Sequence, residues 1–116
     1  MMPLLALALA AQSTFVKGPS DIQVPNAIAD LHDKYVLCQD KHFDSRRVSD
    51  RSGFRKETER AISECAAEKA ALKLEADARL GKSPDHATAV QRQNAIAEAF
   101  DGYDRVRRAM AEGVSR

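Results

Sequence analysis

Beyond residue 24 the apolar positions recur every three or four residues, the period of an amphipathic helix, in three successive stretches. Ile28, Leu31, Tyr35, Cys38 and His42 form the first stripe, and Pro25 suits a first helical position, so a helix is predicted over 25–48. The run Ser49-Asp50-Arg51-Ser52-Gly53 supplies the turn-forming and capping residues that end it and start another. A second helix is predicted over 54–80, with a stripe of Thr58, Ala61 or Ile62, Cys65, Lys69, Leu72 and Ala76, and with Gly81 as its C-terminal cap. Ser83, Pro84 and Asp85 then offer an N-cap, a first helical position and a first-turn acid, opening a third helix that reaches about Ala111. Its stripe reads Ala89, Gln93, Ile96, Phe100, Tyr103, Arg107 and Met110, and Gly102 beside Asp101 predicts a kink or an early end. No alternating β-branched run marks a strand.

Both cysteines fall near the middle of an apolar stripe, one on each of the first two helices. In an antiparallel helix pair both chains rise about 1.5 Å per residue, so residues level with each other have numbers of constant sum. Pairing Cys38 with Cys65 centres the hairpin between Arg51 and Ser52, inside the turn already marked by the capping residues. The same register sets Leu31 level with Leu72, His42 with Ala61, and Arg46 with Glu57. A Cys38–Cys65 disulfide is therefore predicted.

Residues 1–11 differ from all of this. They are uncharged and apolar on every side, they end in the A-x-A pattern Ala8-Leu9-Ala10, and they fall far short of the about 20 residues that span a bilayer. They read as a signal peptide cleaved near Ala10 or Ala11. No Lys or Arg precedes the apolar run, which predicts a start codon further upstream. Residues 12–24, with Gly18, Pro19 and Ser20, read as a flexible arm, 25–112 as a single helical domain, and 113–116 as a tail.

Composition sharpens the picture in one respect. The chain has 116 residues with no Trp, two Tyr and four Phe, so the core is thin and a covalent cross-link matters more than usual. Charge adds little: 18 basic residues against 17 acidic ones are interleaved along the chain, and only Arg105, Arg107 and Arg108 cluster. They sit where cations complement a helix C-terminus, so no nucleic-acid partner is expected.

Candidate chemistry is sparse. Cys38, His42 and Cys65 share a face and would make a Cys2His metal set, but the spacing matches no strong metal motif and an exported chain favours the disulfide. His32 reads as a surface residue and His86 as a first-turn residue. Glu57, Glu59, Glu64, Glu68 and Glu75 read as a solvated, ion-paired helix face. Neither a nucleophile elbow nor a phosphate-binding glycine loop is present. Ala61, Ala66, Ala67, Ala70, Ala71, Ala76 and Ala78 give the second helix a wide face of small side chains, suited to internal packing or to another helix.

The expected fold is all-α: a small three-helix bundle, or a disulfide-locked antiparallel helical hairpin with a third helix, after a cleaved signal peptide. The expected protein is exported, periplasmic or extracellular, and not an enzyme, with no cofactor and no membrane span after processing. Its expected role is that of a protein-interaction or chaperone-like envelope module, meeting another envelope protein or a second copy through its helix faces. The alternative is a metal-handling protein that uses Cys38, His42 and Cys65 when reduced.

Overall fold

The computed structural model describes residues 15–17 and 22–113. The predicted signal peptide, much of the predicted arm and residues 114–116 of the tail lie outside them. Within them the chain is mostly helical. A 3-10 turn at Asn26–Ile28 leads into α1 (Ala29–His42). A second 3-10 turn at Ser45–Arg47 precedes α2 (Arg51–Glu64). The helix α3 (Ala66–Leu80) continues from α2 past Cys65, whose N–H still bonds to the carbonyls of Ala61 and Ile62. After a 3-10 turn at Pro84–His86, α4 (Ala89–Ile96) passes through a π turn (Ala97–Asp101) into α5 (Gly102–Ala111).

The apolar stripes bury in part: Ala89, Gln93 and Met110 of the third are exposed, and its buried members are Ile96, Phe100 and Tyr103. Ile28, Leu31 and Tyr35 of the first stripe meet Leu72, Ala76 and Leu80 of α3 and Ile96, Phe100 and Tyr103 of the last helical run in one core. Helix α1 packs on α2 and α3, α2 on α5, and α3 on α4. The level pairing of Leu31 and Leu72 is consistent with this shared core, and between Ala61 and Ile62 it is Ala61 that is fully buried.

Several local expectations are revised. The first helix stops at His42, six residues early, because Phe43 turns extended and its ring meets Phe54 at 5.5 Å. The loop joining α1 to α2 therefore spans 43–50. The N–H of Asp44 donates to Glu57 Oε2 at 2.7 Å, so Glu57 satisfies the loop rather than facing Arg46, whose partner is Asp44. Helix α2 starts three residues early, where the Asp50 side chain caps it by accepting from the Gly53 N–H at 2.7 Å. Ser83 and Pro84 start only the short 3-10 turn. The α-helix proper opens at Ala89 on a capping box, Thr88 with Gln91. Gly81 keeps right-handed helical geometry at φ −60°, so the helix end does not use its freedom.

Two features lie outside the all-helical expectation. Phe15–Lys17 (β1) pairs antiparallel with Gln23–Pro25 (β2), in the register Phe15 to Pro25 and Val16 to Val24. Ile22 and Val24, at the end of the segment read as an arm, are core residues. The helix does not end at Gly102: it widens over Ala97–Asp101 and resumes, with Gly102 itself buried.

Candidate functional site

Cys38 and Cys65 are bonded, with Cα atoms 6.1 Å apart, as the register required. Their surroundings are unequal. Cys65, at the junction of α2 and α3, is fully buried, whereas Cys38 on α1 is half-buried and lines an open cleft of about 500 Å3. Lys34, Leu37, Lys41 and His42 of α1 and Glu68 and Leu72 of α3 complete that cleft. One helical turn after Cys38, His42 brings a ring nitrogen close enough that one atom from each of Cys38, His42 and Cys65 lies within 4.8 Å of the other two. The Glu64 carboxylate stands 3.9 Å from His42 Nδ1. The carbonyl of His42, at the end of α1, accepts from Arg60 at 2.6 Å, fixing that helix end against α2.

The other histidines are both buried, which overturns the surface reading of His32, while His86 lies in the first turn as expected. His32 is buried, and its Nδ1–H donates to the Ala99 carbonyl at 2.7 Å inside the π turn, while its ring edge meets Tyr103. His86 is buried within its 3-10 turn. Neither joins Cys38, His42 and Cys65.

A polar network unforeseen in the sequence lies beside the cross-link. Asp104 is buried, and one carboxylate oxygen accepts from the Tyr35 hydroxyl at 2.6 Å and from Gln39 Nε2 at 2.7 Å. Its other oxygen takes the Lys69 ammonium at 2.7 Å. Lys69 also pairs with Asp101, which in turn receives Lys73 at 3.0 Å. Burial and the adjoining Asp104 carboxylate push the Tyr35 phenol far up from its ordinary range. Burial works against the Lys69 ammonium, but its hydrogen bonds to Asp101 and Asp104 hold its pKa above the ordinary value. Burial likewise opposes ionisation of Asp101, and the Lys69 and Lys73 ammoniums outweigh it and keep that carboxyl low. The π turn places Asp101 and Asp104 on the side that faces Lys69. The one legible signal was Lys69 itself, a cation at a core-facing helical position, which demands a carboxylate opposite. Through these bonds the network ties α1, α3 and α5 together.

Several other charges pair nearer the surface. Arg105, Arg107 and Arg108 bind Glu98, Asp40 and Glu59 respectively, at 3.5, 2.8 and 2.6 Å. The Arg107 guanidinium also lies over the Phe43 ring at 5.4 Å. The glutamate face holds as an ion-paired surface for Glu59 and Glu75, whose partners are Arg108 and Arg79. Glu57 is the exception: it is buried, with Arg60 at 2.6 Å.

The alanines of the second stretch divide sharply. Ala61 and Ala76 are buried, but Ala66, Ala67, Ala70, Ala71 and Ala78 face outward. Ala67, Ala71, Leu74 and Ala78 recur at steps of four, three and four, a stripe on the side of α3 opposite the core, and Leu74 is 76% exposed. On α1, Leu37 at the rim of the disulfide cleft is 65% exposed. No helix of the described residues is long and apolar enough to cross a membrane. Comparison with protein-family models, with curated proteins and with solved structures finds no match.

Proposed function

We propose that this chain is an exported interaction module whose disulfide-braced helices present the outer face of α3 to another helix, in an envelope protein or in a second copy. The observation that supports the reading is the apolar stripe Ala67, Ala71, Leu74 and Ala78, which runs along the helix with no part in the core. Small side chains let a second backbone approach closely, and a single large residue such as Leu74 then fills a hollow on the partner. Helical arms with both ends held are suited to this role: Arg79 ties the end of α3 to Asp30 at the start of α1 at 2.6 Å, and the cross-link fixes its beginning. In this reading the helices act as three rods, α1, α2 running on into α3, and α4 running on into α5. The apolar leader of residues 1–11 directs export, and the oxidising compartment closes the disulfide.

Site-specific photocrosslinking in the native host tests the contact. A photoreactive residue at Ala71 is expected to give one discrete adduct, lost when Leu74→Arg is added, whereas the same probe at the exposed Gln93 gives none. Equal labelling from both positions rejects the proposal. Intact mass of the recovered chain tests export at the same time: loss of residues 1–11 with both thiols closed to alkylation is the expected result.

A further inference from the structure

We propose that reduction turns the Cys38–Cys65 cross-link into a binding site for one divalent cation of the zinc class, with the two thiolates and the His42 imidazole as ligands and Glu64 as the carboxylate that orients the imidazole.

The geometry carries this. One potential ligand atom from each of Cys38, His42 and Cys65 already lies within 4.8 Å of the other two. Tetrahedral ligation with zinc–sulfur bonds of about 2.3 Å places two thiolates roughly 3.8 Å apart. With Cα atoms 6.1 Å apart, the two cysteines reach that separation by side-chain rotation, without moving either helix. His42 follows Cys38 by one turn of α1, so two ligands come from one rigid helix and the third from the α2–α3 junction. The Glu64 carboxylate stands 3.9 Å from His42 Nδ1, so a small side-chain rotation brings it into hydrogen bond with a ligating imidazole as its outer partner. Two sulfurs and one nitrogen suit a borderline-soft cation and disfavour calcium or magnesium, which want oxygen. Three protein ligands leave a fourth position toward the cleft beside Lys34, Leu37 and Lys41, and that cleft is the path by which a cation arrives.

The chemistry balances. A dithiol reductant passes two electrons and two protons to the Cys38–Cys65 bond, which opens to two thiols while the reductant closes to its own disulfide. The cation then displaces the two thiol protons into solvent. Disulfide and metal use the same sulfurs, so the two states exclude each other. Each nevertheless holds α1 against the α2–α3 junction, and the bound cation takes over the constraint that reduction removes.

The experiment is a titration of the full chain with cobalt(II), anaerobically, before and after reduction with a phosphine that is then removed. The reduced chain is expected to bind one equivalent, with a thiolate-to-cobalt charge-transfer band and intense tetrahedral d–d bands that zinc(II) abolishes, and the oxidised chain to show neither. Glu64→Gln is expected to weaken binding roughly tenfold and His42→Ala at least as much. His42→Ala leaves the disulfide in place, so its fold is checked in the oxidised form before the titration. Thiolate bands that are unchanged in His42→Ala, equal binding by the oxidised chain, or a reduced chain that takes up no cobalt and regains no helix or melting temperature on adding zinc would each overturn the proposal.

Discussion

Asp104 illustrates how a single residue can hold three elements. Its carboxylate is buried and accepts from Tyr35 and Gln39 on α1 and from Lys69 on α3, while it sits itself on α5. Hydrogen bonds to a charged acceptor are stronger than neutral ones, and removing the acceptor strands the buried Tyr35 and Gln39 donors. Asp104→Ala is therefore expected to cost about 2 to 4 kcal/mol, since it leaves a buried phenol and an amide without their partner and the Lys69 ammonium with Asp101 alone. Urea unfolding checks this: the midpoint should fall at unchanged slope, and Asp104→Asn, which retains an oxygen for Tyr35, should lose less. A loss below the resolution of the measurement would mean that the network does not brace the fold.

At the scale of elements, the decisive junction is the one between α2 and α3. The helix runs on through Cys65, yet the residue departs from helical dihedrals at φ −98° and ψ 6°, and it is there that the covalent link to α1 is made. Cross-linking residues 27 apart stabilises by about 3.5 kcal/mol in the chain-entropy view. For a domain of this size each kcal/mol moves the melting temperature by roughly 4 to 8 °C, so reduction in the absence of metal should lower it by many degrees. Calorimetry with and without a phosphine reductant reads this directly, and an unchanged melt on complete reduction would contradict it. The helix stripes and the position of this bridge were legible in the sequence because both follow from spacing along one helix. The early end of α1 was not, because it depends on Phe43 meeting Phe54 and on Glu57 reaching back for the Asp44 N–H.

Across the whole molecule the ion pairs govern its response to acid. The hydrogen bond from Arg60, aided by the Asp44 N–H and opposed by burial, holds the Glu57 carboxyl down at about 2 against an ordinary 4.5. Asp30 and Asp44 are lowered by Arg79 and Arg46 respectively, and Glu59 by Arg108. A carboxyl whose folded pKa lies below its unfolded value contributes stability that is complete above the unfolded value and lost as pH falls through the folded one. The melting temperature should accordingly be flat above about pH 4.5 and decline from there toward pH 2, where Glu57 takes up its proton. Glu57→Gln should melt lower at neutral pH and show a shallower decline, and parallel acid limbs for the two chains would remove the assignment. Screening by salt should flatten the contribution of the exposed pairs first.

The sequence by itself determined that three helical stretches form, that the cap of α2 lies within 49–53, and that the two cysteines meet, because these depend on interactions within a few residues or on the facing of two stripes. Only the tertiary structure decided what lies against Lys69, why His32 and Glu57 are buried, and that the outward alanines of α3 stay uncovered by the described chain. The physical reason is distance along the chain. Tyr35 and Gln39 find Asp104 at separations of 69 and 65 residues, and that meeting requires the rotation that the π turn gives to α5. Spacing says which residues share a face; it cannot say which face of a distant helix will turn toward them.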